Sequence, residues 1–204
     1  MLTLARDVST RGSTPYAVGA DFCRAFKEDM NGLYLLSFLL TADRDKAEEC
    51  FTSGLEDSMN SNRIFKDWAR SWSRRTVIQN AIRVIKPAHD RSREKPSLRT
   101  IDGVPEAKSE NEASLNAVLS LRAFERFVFV MSVLEHYSDQ DCSILLECSR
   151  RDVALARARA AEHIVSRAES SLPGVESSVG AIAQARWLAE SARQKIMHNH
   201  TVTY

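Results

Sequence analysis

Hydrophobic positions in this chain recur every three or four residues over long stretches, the period of an amphipathic helix. The period runs first through residues 15–85, for example at Phe22, Phe26, Leu33 and Leu36. A second run has its apolar positions at Leu115, Val118, Leu121, Phe124, Phe127, Val128, Met131 and Leu134. Alternating runs typical of strands are few, so the pattern predicts an all-α protein without a sheet.

Interruptions of this period divide the chain into segments. Residues 87–113 are polar and contain Pro87, Pro96, Gly103 and Pro105, which oppose a continuous helix. We predict two small helical domains, 15–86 and 114–172, joined by a flexible linker over residues 87–113. Residues 173–204 form a C-terminal extension, with a packed helix predicted over 179–197.

Within the first domain, Asp45 is predicted to cap a helix that carries Ala47, Cys50 and Phe51 on its apolar side. A further helix is predicted over residues 62–85.

A helix-start signal occurs twice within the second domain. Ser138 and Ser149 are each followed three residues later by an acid, Asp141 and Asp152, as in a capping box. A short helix over residues 139–146, a tight turn and a new helix from Arg150 would make a helix-turn-helix, whose second helix reads DNA. Simple packing of a helical hairpin is the alternative.

Charge is unevenly distributed along the chain, although the net charge is only +1. Residues 43–57 carry six acids and two bases, whereas residues 63–95 carry ten bases and three acids. The two opposite patches suggest two partners of opposite sign. The four cysteines form no Cys-x-x-Cys pair and no leader or membrane-spanning run is evident, so we expect a cytoplasmic protein that does not enter the membrane.

Three stretches resemble the extracytoplasmic-function group of bacterial RNA polymerase sigma factors. Residues 33–49 (LYLLSFLLTADRDKAEE) resemble the family's core-binding stretch, and residues 121–159 resemble its helix-turn-helix segment. The resemblance implies a transcription initiation factor whose partners are RNA polymerase core and promoter DNA, and it allows for an anti-sigma factor. It also implies that Asp45, Glu48 and Glu49 dock on the polymerase; a solvated acidic helix face is the alternative.

The third stretch, residues 64–75 (IFKDWARSWSRR), resembles the family's segment that opens the promoter's −10 element. Phe65, Trp68 and Trp72 fall on one helical stripe, and these aromatic side chains either pack in the core or stack on unpaired bases. A basic stripe lies beside them and would meet phosphates. The candidate DNA-binding residues of this domain are Lys66, Arg70, Arg74, Arg75 and Arg83.

The predicted second helix of the helix-turn-helix supplies the other DNA-binding candidates. Ser149 would cap it, and Arg150, Arg151 and Arg157 are the candidates for phosphate and base contacts at the −35 element. The family's base-reading positions correspond here to residues 154–156, Ala-Leu-Ala.

Catalytic motifs are absent from the sequence: it has no glycine-rich phosphate loop, nucleophile elbow or His-Glu-x-x-His. His198 and His200 lack paired cysteines or acids that would complete a metal site, so a plain tail is the simpler interpretation. We therefore expect no enzyme activity, cofactor, metal or small-molecule substrate.

Two alternatives to an initiation factor stay open. The first is a degenerate sigma-like adapter that binds proteins. It is favoured because residues 52–55 are Thr-Ser-Gly-Leu where the family usually has Gln-Glu or Gln-Asp followed by an aromatic residue, and because the second helix of the predicted helix-turn-helix is rich in alanine. The second is a helix-turn-helix repressor that binds duplex DNA without polymerase.

Overall fold

The protein's structure, a computed structural model, describes residues 15–89 and 110–171. Within these ranges the backbone is mostly helical and forms no strand, which confirms the all-α prediction. The α-helices are α1 (Gly19–Glu28), α2 (Met30–Thr41), α3 (Arg44–Met59), α4 (Ala69–Ile85), α5 (Glu110–Leu119), α6 (Ala123–Phe129), α7 (Asp139–Leu145) and α8 (Arg150–Ser171).

The break between α2 and α3 is made by two consecutive local signals. Ala42 adopts a left-handed conformation with φ of 54° and ends α2. Asp43 then caps α3, because its side chain accepts hydrogen bonds from the backbone N–H groups of Asp45 and Lys46 at 3.1 and 3.2 Å. The prediction that Asp45 is the cap is wrong by two residues; Asp45 lies in the first turn.

The chain before α4 is extended rather than helical, which corrects the helix predicted over residues 62–85. Tyr16 and Phe65 form an isolated antiparallel bridge, with Ala17 N–H donating to Ile64 O at 2.6 Å. A 3₁₀ turn, Lys66–Trp68, follows and leads into α4 at Ala69. Hydrogen bonds to residues 15–17 thus occupy backbone groups of Ile64 and Lys66 that a helix would otherwise use.

Helices α3 and α4 pack closely at Gly54. This glycine is buried, and a Cβ placed on it would lie 2.8 Å from Val77 Cγ2 and 3.2 Å from Val77 Cα. Nearby, Ser58 and Thr76 share a buried hydrogen bond of 2.7 Å between their hydroxyls. The glycine thus costs helix propensity but permits the close approach of the two helices.

We expect Gly54→Ala to destabilise the protein by about 1–2 kcal/mol in urea unfolding. Overpacking against the backbone of Val77 costs about 1–3 kcal/mol, more than the gain of up to about 1 kcal/mol in helix propensity. Thr52→Ala, at an exposed position of the same helix, should change the stability by less than about 0.5 kcal/mol. A stabilised Gly54→Ala variant would contradict the close packing.

The helices after residue 110 begin where the two Ser-x-x-Asp signals predict. Ser138 Oγ accepts from Asp141 N–H and Ser149 Oγ accepts from Asp152 N–H, each at 3.1 Å, so both predicted helix starts are confirmed. The connection contains Glu147 in a left-handed conformation with φ of 51°, the strain that a turn without glycine requires. That α7 and α8 form a helix-turn-helix whose second helix reads DNA stays a prediction.

Residues from both sides of the segment 90–109 contribute to one buried apolar cluster. Leu40 and Ile78 lie in it together with Phe127 and Val128. Arg126 of α6 is also buried, and two nitrogens of its guanidinium donate to the single carbonyl oxygen of Leu40 at 3.2 and 3.3 Å, at the end of α2. We call residues 15–89 the N-terminal half and residues 110–171 the C-terminal half; the two halves are in direct contact.

The remaining predictions fall outside the described residues. These are most of the linker, the C-terminal helix over residues 179–197, His198 and His200. None of the described helices is both long and apolar enough to span a bilayer.

Candidate nucleic-acid interface

Three aromatic side chains form an exposed patch at the start of α4, which we call the aromatic patch: Tyr16, Phe65 and Trp68. Ring centroids lie 5.1 Å apart for Tyr16 and Phe65, and 5.5 Å apart for Phe65 and Trp68. Their exposed fractions are 41%, 44% and 61%. Core packing, one of the two interpretations of the aromatic stripe, is therefore wrong for Phe65 and Trp68.

Trp72, the third member of the predicted stripe, is half-buried and helps to hold the patch in place. Its Nε1 donates to Ser61 Oγ at 2.8 Å, and its ring packs on a small cluster formed by Ala17, Phe22 and Ala69. One end of the stripe thus belongs to the core, and the other is open to solvent.

Lys66 and Arg70 place positive charge beside the aromatic patch. Both side chains are exposed. Arg70 contacts Glu28 at 3.1 Å, but both partners are more than half exposed, so water and salt screen the pair strongly. A phosphate can replace such a carboxylate at little cost.

Arg74 lies one turn further along α4 and is held between two carboxylates. Its guanidinium donates to Glu135 at 2.5 and 2.7 Å and to Asp29 at 2.7 Å. The hydrogen bond to Glu135, opposed by desolvation and helped by the charge of Asp29, raises the pKa of Arg74. We call these three residues the Arg74 cluster; in this structure its arginine is not open to a nucleic acid.

The remaining basic residues of α4 are in different surroundings. Arg75 is half-buried beside a cleft of about 420 Å³ between the two halves, which Trp68, Trp72 and Tyr137 also line. Burial raises the pKa of Tyr137, and the charge of Arg75 opposes that rise. Arg83 is exposed at the far end of α4 and contacts Asp57 at 3.3 Å.

The first turn of α8 presents two of its predicted arginines to solvent. Arg150 and Arg151 are exposed, and Ser149 precedes them as the cap. Ser149 Oγ donates to the Asp152 carboxylate at 2.6 Å, and this hydrogen bond lowers the pKa of Asp152. Arg150 and Arg151 are thus available to phosphates at this helix start.

Arg157 is a correction to the predicted DNA-binding set. Its side chain is only 10% exposed and its guanidinium forms a two-point ion pair with Asp139 at the start of α7. Ala154 and Ala156, at two of the predicted reading positions, are buried as well. This face of α8 packs against α7 and the core, so we remove Arg157 from the DNA-binding candidates.

The acidic residues of α3 point away from its core face. Asp45, Glu48 and Glu49 are exposed, whereas Ala47 and Cys50 are fully buried. The arrangement leaves a negative helix surface that can meet a basic partner.

Two of the four cysteine thiols, Cys50 and Cys142, are buried, whereas Cys23 is exposed. Burial raises the pKa of Cys50 to about 11 and that of Cys142 to about 12, which keeps both thiols protonated at neutral pH. No cluster of three metal-ligating side chains occurs among the described residues.

Several residues of this surface were missed by sequence reasoning. Tyr16 lies at the very start of the first periodic stretch, before α1, and its bridge to Phe65 brings it to the patch. Asp29, Glu135 and Asp139 carry no local signal, because their arginine partners lie 45, 61 and 18 residues away in the sequence.

Neither protein-family models, curated proteins nor solved structures gave a match.

Proposed function

We propose that the protein is a transcription initiation factor that binds RNA polymerase core and directs it to promoter DNA. The N-terminal half opens the −10 element, and the C-terminal half contacts the −35 element. The factor performs no covalent chemistry; the free energy of binding to one separated strand offsets the cost of base-pair opening.

A single observation carries the proposal: exposed aromatic rings stand beside exposed cations within the stretch that resembles the promoter-opening segment. Phe65 and Trp68 are exposed rings on either side of Lys66, and Arg70 follows within one turn. Large aromatic side chains are costly to leave in water, so their exposure favours a partner with flat apolar faces. Unpaired bases joined by phosphates meet both requirements.

The distribution of the other charges supports two further contacts. Arg150 and Arg151 at the start of α8 suit the phosphates of duplex DNA, as in recognition helices whose first turn approaches the backbone. The exposed acids of α3 suit a basic helical surface of the polymerase. Acidic and basic surfaces thus lie on different helices, which is what simultaneous binding to enzyme and DNA requires.

A protein-binding adapter remains the second candidate, and a specific observation favours it. Arg74 and Arg157, two of the predicted DNA contacts, form ion pairs with the carboxylates of Asp29, Glu135 and Asp139. An adapter would keep the helical scaffold and need neither arginine for DNA.

Reconstituted transcription tests the proposal directly. We expect the purified protein, added to bacterial core polymerase and a pool of genomic promoter fragments, to produce transcripts with defined start sites above the background of core alone. The same protein should co-purify with core polymerase. Glu48→Lys/Glu49→Lys should weaken co-purification, because it reverses the charge of the exposed face of α3.

The outcomes separate the candidates. Co-purification without defined transcripts would favour the adapter, and tight duplex binding without polymerase would favour a repressor. Failure of both co-purification and transcription would reject the proposal.

A further inference from the structure

We propose that Glu135 and Asp29 hold Arg74 away from nucleic acid, so that the C-terminal half masks part of the DNA-binding surface of the N-terminal half. The inference rests on the proposed function, since it concerns regulation of the same surface. The structure is then a masked state, in which a strand must displace Glu135 to bind Arg74.

The geometry of the Arg74 cluster matches that of an arginine bound to phosphate. Glu135 takes two parallel hydrogen bonds, at 2.5 and 2.7 Å, from one edge of the guanidinium, and Asp29 takes a third at 2.7 Å. Carboxylates and phosphates use the same planar donor pattern of arginine. The two carboxylates therefore occupy the positions that phosphate oxygens would need.

The position of Arg74 makes the competition with a strand direct. Arg70 and Arg74 are four residues apart on α4 and so lie on one face, with Lys66 preceding them in the 3₁₀ turn. The side chain of Arg74 is 29% exposed and lines the cleft between the two halves, so it lies at the surface rather than in the core. A strand whose phosphates follow Lys66 and Arg70 reaches Arg74 next.

The origin of Glu135 couples this masking to the contact between the halves. Asp29 belongs to the N-terminal half, beside α4, but Glu135 follows α6 in the C-terminal half, 61 residues from Arg74. The two-point contact exists only while the halves lie together as described. Separation of the halves would remove Glu135 and leave Arg74 with a single carboxylate.

The backbone around Glu135 is irregular, which is typical of a segment with a role beyond packing. Residues Val130–Leu134 form a π-helical turn that continues α6, and Glu135 N–H donates to Val130 O at 3.0 Å. His136 then takes a left-handed conformation with φ of 58°. Single π turns and left-handed non-glycine residues carry a local cost and concentrate at functional sites.

Neutralising the carboxylates while keeping their shape tests the inference. We expect Asp29→Asn/Glu135→Gln to bind a fluorescein-labelled 20-nucleotide single strand about tenfold more tightly at 0.15 M salt, the effect of about one added phosphate contact. Glu135→Gln alone should give a smaller gain of about threefold. Glu56→Gln, at an exposed position of α3, makes the same change in net charge as Glu135→Gln and should change affinity by less than about 1.5-fold.

Arg74→Gln identifies the source of the gain. In the otherwise unchanged protein it should weaken binding by less than about twofold, because Arg74 is already occupied. In the Asp29→Asn/Glu135→Gln background it should remove the whole gain. Merely structural carboxylates would not give this dependence on the background.

Each outcome decides between the ideas. Equal gains in Glu56→Gln and Glu135→Gln would overturn the inference, as would a loss of tenfold for Arg74→Gln in the unchanged protein. If circular dichroism shows that the carboxylate variants do not fold, the affinity of Arg74→Gln in the otherwise unchanged protein is the deciding measurement. If the unchanged protein binds the strand through Lys66 and Arg70 but Asp29→Asn/Glu135→Gln binds no more tightly, only the inference fails. If no variant shows salt-dependent binding, the proposed function fails as well.

Discussion

Lys66→Glu/Arg70→Glu is expected to lower the affinity for a single-stranded oligonucleotide by about 100-fold at 0.1 M salt. Each substitution removes an exposed cation beside the aromatic patch and adds a charge that repels the strand, and each lost phosphate contact also reduces the number of released counterions. The dependence of log affinity on log salt should become shallower by about 1.4, or about 0.7 for each contact. Fluorescence anisotropy at several salt concentrations measures both quantities.

A charge-matched variant separates this local effect from the net charge of the protein. Arg44→Glu/Lys46→Glu changes the net charge by the same amount at exposed positions of α3, within the predominantly acidic segment 43–57. We expect a loss of less than about threefold. If both variants lose affinity equally, the cations beside Trp68 have no special role.

Asp139→Ala should be the most destabilising of the charge substitutions, with a loss of about 3 kcal/mol in the free energy of unfolding. The substitution leaves Arg157, whose side chain is 10% exposed, without its carboxylate. An uncompensated charge in such a position costs about 3–5 kcal/mol, and the partial exposure of Asp139 (23%) places the effect at the lower end. Urea or thermal unfolding followed by circular dichroism measures the change.

Two further variants test the cause of that loss. Gln140→Ala changes the next, exposed residue of α7 and should cost less than about 0.5 kcal/mol. Asp139→Leu/Arg157→Leu removes both charges and should be closer in stability to the unchanged protein than Asp139→Ala is, because no unpaired charge remains. An Asp139→Ala variant of normal stability would show that Arg157 reaches solvent and would return it to the DNA-binding candidates.

Local signals predicted the helices well where the decisive groups are close in sequence. Ser138 and Ser149 each bond to a residue three positions ahead, so both helix starts could be read directly from the sequence. The heptad-like apolar spacing in α2 and α6 likewise depends only on neighbouring turns. The all-α prediction follows from these short-range rules.

Long-range contacts decided the features that the sequence did not predict. The helix expected from residue 62 begins only at Ala69, because Ala17 and Ile64, 47 residues apart, share a backbone hydrogen bond. The same pairing turns Phe65 away from the core and beside Tyr16. Helical periodicity assigns faces only where a helix exists, so it could not distinguish an exposed ring from a buried one here.

The predicted site residues divide for the same reason. Lys66, Arg70, Arg150 and Arg151 are exposed, as an electrostatic interpretation of the basic residues requires. Arg74 and Arg157 also lie in helical stretches rich in arginine, yet carboxylates that are distant in the sequence pair with them. Composition indicates how many cations are present, but only tertiary structure determines which of them are neutralised.

The bond from Arg126 to the end of α2 has a consequence for synthesis on the ribosome. Chain growth delivers α1–α4 before α6 exists, at about 5–20 residues per second. During that interval the carbonyl oxygen of Leu40 lacks its later arginine partner, and the apolar surface around it lacks its cover. The nascent N-terminal half therefore cannot complete its packing until α6 has been synthesised and has left the ribosome.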